Sequence, residues 1–327
     1  MENVLRAIFT TDFFYSIFRV ATPILFASMG AVVANTAGVP NVALEGIMLL
    51  AAFLGMMFSA ISGSAFVGLL AALVGGILCA GVIAFFVLYY KTKMILSCIA
   101  INTLISGGTV ILLYMFTGDK GTSASVASKV LPNIEIPLIK SIPILGGVIS
   151  GHNVLTYLAV ISVVAVYFFI KRTPVGYHMR AVGLDANAAE SVGVNVNRVK
   201  VLALLISGFL AAFGGAFMSM GYVNWFSRDM VAGRGWIAVA AEAMGQTTVI
   251  GTAIASLLFG AADALSNAVS ALGWSSELVR TIPYCATLIG LIMFSIRTSG
   301  KAKGRLKTNI ARHEKAKAIK LNTLKKS

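Results

Sequence analysis

The sequence predicts an all-α membrane protein, a polytopic transmembrane helical bundle of about 8–10 spans with one or two broken or re-entrant segments. Four observations lead to this class. Hydrophobic residues make up 58% of the 327 residues, charged residues make up only 12%, and the mean hydropathy is +0.88. Soluble domains carry about twice that charged fraction. Apolar stretches of the length that crosses a bilayer, about 20 residues, also recur along the chain.

The candidate spans follow one another with short polar connections, apart from two longer ones. They are residues 13–34, 42–61, 64–90, 94–117, 153–170, 199–222, 236–249, 250–270 and 280–296. The seventh is short and contains Glu242 and Gln246, so we expect a broken or re-entrant helix there. Small residues recur at every fourth position in three of the spans, which predicts close helix packing.

Charge indicates which end of the chain lies in the cytoplasm. From Arg297 onward there are eleven Lys or Arg residues and one acid, Glu314. Basic residues beside a span are typical of the cytoplasmic side, so we expect residues 297–327 to form a basic cytoplasmic tail that contacts membrane lipids, with no role for nucleic acid. Counting back places the loop 171–200 inside and the connection 118–152 outside.

The N-terminal residues 1–19 are predicted to form an amphipathic lead-in on the membrane surface, followed by a membrane domain over residues 20–296. The count of spans leaves open the side of the membrane on which the N-terminus lies.

Polar side chains within the apolar spans are the candidates for a solute path, because an ionisable group at membrane depth tends to face a bundle interior or an aqueous path. They are Asn41, Glu45, Asn102, Glu242, Asp263 and Asn267. Two interpretations stay open for each carboxylate: it caps a half-helix or binds a neighbour, or it lines the path directly.

Local spacing adds two details to these candidates. Pro40 suits the first turn of a helix, which predicts a half-helix that begins near Asn41 and points its N–H groups into the membrane. Asp263 and Asn267 are four residues apart and therefore share a helix face. Arg234 and Trp236 are expected at the outer surface, in an interfacial aromatic girdle or a docking site.

Motifs of common enzyme classes are absent from the sequence. There is no phosphate-binding G-x-x-x-x-G-K-[ST], no H-E-x-x-H and no G-x-S-x-G. The three cysteines and three histidines are too scattered to form a disulfide framework or a metal site. We therefore expect neither an enzyme nor a cofactor.

The loop 171–200, KRTPVGYHMRAVGLDANAAESVGVNVNRVK, is polar and glycine-punctuated. A turn is predicted at 181–183, and a short helix at about 187–192 that stops at Gly193. Asp185 and Asn187 are possible N-caps, and Asn187 with Glu190 resembles a capping box. This helix would present Ala188, Ala189 and Val192 as a small apolar knob for a partner's groove. An ordinary capped surface turn is the alternative.

Three segments resemble permeases of ABC importers in the branched-chain amino acid, ribose and nucleoside group. RAVGLDANAAESVGVNVNRVK resembles their cytoplasmic loop. GVPNVALEGIMLLAAFLG is similar to the NIGLEGMML-type segment of nucleoside-uptake permeases, and RGWIAVAAEAMGQTTVIGTAIASLLFGAADAL is similar to a later stretch. The resemblance covers residues 22–296 and is strongest to the shorter permease of purine-nucleoside importers that use a lipoprotein receptor of the basic-membrane-protein type.

The resemblance implies a transmembrane permease in a bacterial inner membrane that acts with a second, homologous permease, separate ABC ATPase subunits and an extracytoplasmic substrate-binding protein or lipoprotein. It implies that force from the ATPase passes through Arg180, Gly183, Asp185, Ala188, Ala189, Glu190 and Gly193. Nucleosides are the expected solutes, with simple sugars or branched-chain amino acids as alternatives. An ion-driven secondary transporter that uses Glu45, Glu242 or Asp263 as proton carriers is the alternative from another class.

The sequence departs from the family pattern at two places. Residues 35–38, Asn-Thr-Ala-Gly, stand where the family often has an arginine. Glu242 and Thr247–Thr248 stand where a glycine and a proline usually follow. Both departures are expected near the solute path and leave the identity of the solute open.

Overall fold

A computed structural model describes residues 10–126, 128–135 and 145–271, with Thr281, Cys285, Leu288, Gly290 and Ile292 beyond them. The chain divides into two units, Met1–Pro283 and Tyr284–Ser327. The architecture below is that of the first unit. The predicted ninth span and the basic tail lie almost entirely outside the described residues.

Within the described ranges the fold is all-α, as the sequence predicts. The helices are α1 (Thr11–Thr36), α2 (Leu44–Ser62), α3 (Ala65–Leu88), α4 (Met94–Thr117), α5 (Leu145–Ile149), α6 (Val154–Arg172), α7 (Pro174–Leu184), α8 (Ala186–Ser191), α9 (Val196–Phe217), α10 (Arg234–Met244) and α11 (Val249–Ala271). A π-helical turn, Met218–Tyr222, extends α9. Of the helices in these ranges, seven are long and apolar enough to cross a membrane, namely α1, α2, α3, α4, α6, α9 and α11.

Helix α1 forms the centre of the bundle. Every residue from Val20 to Ala34 is buried, as expected for a helix that is apolar on all sides. Helices α6, α9, α10 and α11 pack around it. A movement of α1 would therefore change the packing of these four helices.

Small residues allow helices α3 and α9 to approach closely, as predicted, through Gly76 on α3 and the pair Gly208 and Ala212 on α9. A Cβ atom added to Gly76 would lie 2.5 Å from Cβ of Ala212 and 2.8 Å from the carbonyl oxygen of Gly208. Both distances are too short for a real Cβ atom, so glycine at position 76 is what lets the two helices come this close. Close van der Waals packing of this kind is how membrane helices associate without a hydrophobic driving force.

Contacts at the two ends of α1 define the two ends of the bundle. Near its start, Tyr15 donates a hydrogen bond to the carbonyl oxygen of Gly151, at 2.9 Å. At its other end, Thr36 packs against Gly183 of α7. We call this the α7 end, and the other the opposite end. Because α1 begins at Thr11, part of the predicted lead-in belongs to this long helix; the surface position of residues 1–19 stays a prediction.

The predicted broken segment at 236–249 is confirmed as the short helix α10 and the turn after it. Eleven residues of helix span about 16 Å, roughly half of a bilayer's hydrocarbon core. The turn places Gln246 and Thr247 at positive φ, 54° and 57°, a conformation that is uncommon for residues other than glycine. Helix α11 then begins at Val249.

Candidate functional site

Glu45 caps the N-terminus of the half-helix α10. It lies in the first turn of α2. Its Oε1 accepts a hydrogen bond from the N–H of Gly233 at 2.8 Å, and its Oε2 accepts one from the N–H of Gly235 at 2.7 Å. A carboxylate here satisfies N–H groups that have no partner within the helix and complements the helix dipole. The geometry favours the capping interpretation for this residue.

Asn41 and Asn102 fix the start of α2. Asn102 accepts a hydrogen bond from the N–H of Gly46 at 2.8 Å and donates one to the carbonyl oxygen of Val42 at 3.1 Å. Asn41 accepts from the N–H of Ala43 and donates to the hydroxyl of Ser207, both at 3.0 Å.

The predicted half-helix near Asn41 is wrong, because the helix begins at Leu44 and its 19 residues are long enough to cross a membrane. The side chain of Asn41 accepts a hydrogen bond from the backbone two residues on, and this local turn competes with the helix. Pro40 therefore belongs to the connection before α2 and not to its first turn.

Arg234 and Asp263 form an ion pair inside the bundle. Nη2 of Arg234 lies 2.9 Å from Oδ2 of Asp263, and both side chains are largely buried. The predicted position of Arg234 at the outer surface is wrong, since its charge is paired between α10 and α11. Trp236 remains partly exposed. Asn267, one turn beyond Asp263, is also exposed.

An open groove of about 430 Å³ borders the capped end of α10, between α2 and α4. Its polar lining includes Glu45, Asn102, Ser106 and Asp229. Ser106 donates a hydrogen bond to Oδ1 of Asp229 at 2.8 Å. Carboxylate, amide and hydroxyl groups thus line the groove together, as in many polar binding sites. Sequence reasoning missed Asp229, although an acid just before a short intramembrane helix is itself a signal.

The polar loop 171–200 folds into two helices at the α7 end. Thr173 caps α7 by accepting a hydrogen bond from the N–H of Gly176 at 3.1 Å, and Pro174 is the first helical residue. The predicted turn at 181–183 is wrong, because α7 continues to Leu184. The Thr-Pro pair at 173–174 is a helix-start signal that could have revealed this helix.

The predicted short helix is confirmed as α8, and of its two predicted N-caps the structure uses Asp185. Asp185 accepts hydrogen bonds from the N–H groups of Asn187 and Ala188, both at 3.0 Å. Asn187 lies inside the helix, so the predicted capping box with Glu190 is wrong. Gly193, at φ 87°, follows the helix in the left-handed conformation that glycine adopts readily.

The predicted apolar knob has a different composition. Ala189 is only 4% exposed, so it packs inward, whereas Leu184 and Val192 are 89% and 78% exposed. Ala188 and Glu190 are exposed as well. The exposed apolar surface of α7 and α8 therefore centres on Leu184, Ala188 and Val192, and we call it the α7–α8 tip.

Gly183 brings α7 against the end of α1. A Cβ atom on Gly183 would collide with the carbonyl oxygen of Thr36 and lie 3.3 Å from the backbone nitrogen of Gly38. The position therefore requires glycine for its lack of a side chain. Arg180, on the preceding turn of α7, lies over the ring of Tyr177 with 4.6 Å to the ring centroid.

Comparison with known proteins decides the family. A family model described as "Branched-chain amino acid transport system / permease component" matches residues 13–296. The chain belongs to this family. The resemblance predicted from its three segments is therefore confirmed.

Three curated relatives match this permease over most of its length. The guanosine ABC transporter permease protein NupQ of Bacillus subtilis is 29% identical, covering 87% of this chain and 92% of NupQ. The putative glucose ABC transporter permease protein TsgC13 of Haloferax volcanii is 28% identical, covering 86% and 90%. The nucleoside ABC transporter permease protein NupC of Lactococcus lactis is 28% identical, covering 89% and 93%.

In this permease the two departures from the family pattern are in contact. Nδ2 of Asn35 donates to Oε1 of Glu242 at 2.8 Å and lies 3.1 Å from Oγ1 of Thr247. Glu242 is buried, about two turns along α10 from the groove. The structure therefore separates Glu242 from Glu45 and places both departures at the α7 end of the bundle, beside Gly183.

Proposed function

We propose that this permease is the transmembrane subunit of a bacterial ABC importer whose solutes are nucleosides. The similarity to NupQ and NupC over more than nine-tenths of their lengths carries the proposal. The groove supports it, because a nucleoside is a neutral solute rich in hydroxyl and ring-nitrogen groups. The exposed carboxylate of Asp229 offers such groups an acceptor, and Glu45 and Asn102 add the lone pairs and the N–H that their own backbone hydrogen bonds leave unused.

The α7–α8 tip is the proposed docking surface for a separate ATPase subunit. An exposed apolar cluster on a polar helical hairpin is suited to insertion into a groove. The tip consists of Leu184, Ala188 and Val192, with the charged residues Asp185 and Glu190 nearby, and Gly193 ends the hairpin. Ala189 supports it from the buried side.

Force from the tip has a continuous route to the groove. Gly183 presses on the end of α1, Asn35 of α1 is hydrogen-bonded to Glu242 of α10, and the far end of α10 is capped by Glu45. We propose that a displacement of α7 shifts α10 along its axis and opens or closes the groove. Such a route is demonstrated only by breaking its links and measuring coupling.

A second, homologous permease is the proposed cover of the groove. The groove opens at the side of the bundle, and α4 beside it is the least buried of the seven spans. Two such grooves facing each other would enclose a path. An extracytoplasmic binding protein would deliver solute at the opposite end, with the α7 end and the C-terminus in the cytoplasm of an inner-membrane protein.

Competition for uptake tests the proposed solute. The complete transporter in proteoliposomes, given labelled guanosine, should lose label uptake when unlabelled inosine is added in excess. Ribose, glucose or leucine at the same concentration should leave uptake unchanged. Inhibition by ribose, glucose or leucine, with none by inosine, would overturn the nucleoside proposal.

A simple-sugar permease is the second candidate. The similarity to TsgC13, a protein named for glucose, favours it specifically. A direct measurement with labelled glucose in the same proteoliposomes separates the two candidates, since the nucleoside proposal predicts no ATP-dependent glucose uptake.

A further inference from the structure

A basic cavity of about 430 Å³ opens at the α7 end, between α6, α7 and the turn that joins α10 to α11. Lys171 and Arg180 are the charged groups in its lining, and among the described residues that line it none is acidic. The hydroxyl-bearing Thr36, Thr247 and Thr248 also face it. The hydroxyls of Thr36 and Thr248 already donate to the carbonyl oxygens of Val32 and Gly245, and the nearby Glu242 is buried behind Asn35. The two cations therefore set the character of the lining.

Arg180 carries a donor that the described part of the chain does not satisfy. Its Nε atom is buried and has no hydrogen-bond partner among the described residues. A buried donor without an acceptor is costly, most of all when it is charged. The stacking on Tyr177 covers the face of the guanidinium and leaves its edge for an acceptor. Since Arg180 lines the cavity, an anion bound there would lie beside a guanidinium group whose Nε has no partner among the described residues.

An apolar stripe continues from the cavity along a membrane span. Ile250 lines the cavity, and Ile254 and Leu258 follow it at intervals of four residues on α11. All three side chains are exposed, and residues at this spacing share one helix face. The cations thus lie at the end of a span, and the stripe runs from them toward the middle of the membrane.

We infer that this cavity binds an anionic phospholipid, with its phosphate at Arg180 and Lys171 and an acyl chain along Ile250, Ile254 and Leu258. Basic pockets between membrane helices recognise anionic headgroups in this way. The basic tail from Arg297 onward is a poor alternative occupant, because its eleven Lys or Arg residues would be repelled by the same cations. A lipid bound here would rest against α7 and α1 and so affect how readily the α7–α8 tip moves.

Lipid binding to the full-length purified permease in a neutral detergent tests the site directly. Native mass spectrometry would count bound phosphatidylglycerol and phosphatidylcholine that carry the same acyl chains. We expect one saturable phosphatidylglycerol site. Arg180→Gln or Lys171→Gln should weaken it about fivefold each, and the double variant about 25-fold. Arg180→Lys should retain most of the affinity.

Matched variants separate this site from general attraction. Lys93→Gln removes an exposed cation before α4 at the same end of the bundle and should not change binding. Ile254→Ser should weaken binding of both lipids and preserve the preference for phosphatidylglycerol. A melting temperature close to that of the parent protein in each variant shows that the fold is intact.

Three results would overturn the inference. Equal affinities for phosphatidylglycerol and phosphatidylcholine would show that the two cations do not select the lipid. A loss of phosphatidylglycerol affinity in Lys93→Gln as large as that in Arg180→Gln would show that the attraction is a non-specific effect of charge. Displacement of phosphatidylglycerol by an equal concentration of glycerol 3-phosphate would show that the site takes a free phosphate ester and not a lipid. None of these measurements depends on which solute the permease carries.

Discussion

The amide nitrogen Nδ2 of Asn35 lies 2.8 Å from Oε1 of Glu242, so the end of the central helix is hydrogen-bonded to a carboxylate that is 6% exposed. The contact joins α1 to α10 at the α7 end. Because α7 contacts α1 at the next residue, Thr36, this bond is the proposed link between the docking hairpin and the half-helix that borders the groove.

Substitution of Asn35 by leucine tests that link. In Asn35→Leu the buried carboxylate of Glu242 loses this donor, and an unsatisfied buried acceptor costs about 1–3 kcal/mol. We expect a lower melting temperature in detergent and weaker coupling of ATP hydrolysis to uptake. Glu242→Gln is the control, because its amide oxygen still accepts from Asn35. A larger loss of stability in Glu242→Gln than in Asn35→Leu would contradict the bond's importance.

Glu45 should tolerate glutamine better than alanine. Glu45→Gln keeps one oxygen that can accept from Gly233 or Gly235, whereas Glu45→Ala leaves the start of α10 uncapped, at a cost of about 1–2 kcal/mol. We expect uptake and melting temperature to fall in the order parent, glutamine, alanine. The control is Asp229→Asn, which changes an exposed groove carboxylate without uncapping a helix. Equal behaviour of the two Glu45 variants would show that charge, and not capping, matters there.

Gly183 and Gly108 offer a matched pair of helical glycines. Gly183→Ala drives a methyl group into the carbonyl of Thr36, and overpacking of this kind costs about 1–3 kcal/mol. We expect normal membrane insertion with a marked loss of solute-stimulated ATP hydrolysis. Around Gly108 no atom among the described residues lies within 4 Å of an added Cβ, so Gly108→Ala should be neutral or stabilising by up to about 1 kcal/mol. The same ATPase rate in both variants would remove α7 from the coupling route.

Stability at the opposite end should depend on pH through His152. This ring stacks on Tyr15 with centroids 3.9 Å apart, and burial, aided by the charge of Arg19, lowers the pKa of His152 below its usual value near 6.5. The folded state therefore prefers the neutral ring. The neutral His152 ring contributes its full stabilisation of the fold at a pH above its pKa in the unfolded state. That contribution is lost as the pH falls from there through the lowered pKa of the folded state.

The measurement for His152 is the melting temperature at pH 8 and at pH 5. His152→Phe keeps an aromatic ring beside Tyr15 and removes the titrating group. The parent protein should lose more stability on acidification than this variant does. An identical loss in both proteins would assign the pH dependence to other groups.

Much of the bundle could be predicted from length and hydropathy alone, because the period and length of an apolar helix are local properties. Helix α7 was not predicted because proline and glycine, here Pro174 and Gly176, are common in loops. Proline is also favoured at the first position of a helix, which is where Pro174 lies. The burial of Ala189 depends on packing against other elements, and no local pattern of small residues indicates which side of a six-residue helix faces inward.

The candidate site shows the same division. Glu45 could be picked out from the sequence because it is an acid within an apolar span. Its partners Gly233 and Gly235 could not, because they lie about 190 residues away in sequence. Sequence alone supplied the chemistry of Glu45, Glu242 and Asp263 and could not say which of them share a neighbourhood. The fold brings Glu45 and Asp263 to the start of α10, where they bind Gly233, Gly235 and Arg234, and leaves Glu242 about two turns away with Asn35.

ATP dependence of guanosine uptake is the most direct test of the proposed importer. Proteoliposomes would contain this permease with its ATPase subunits, second permease and binding protein, and label would be followed with ATP, without ATP, and with a proton gradient alone. We expect accumulation only with ATP and the ATPase present, and none from the gradient. Uptake by the purified chain alone, driven by a proton gradient and indifferent to ATP, would contradict the proposal.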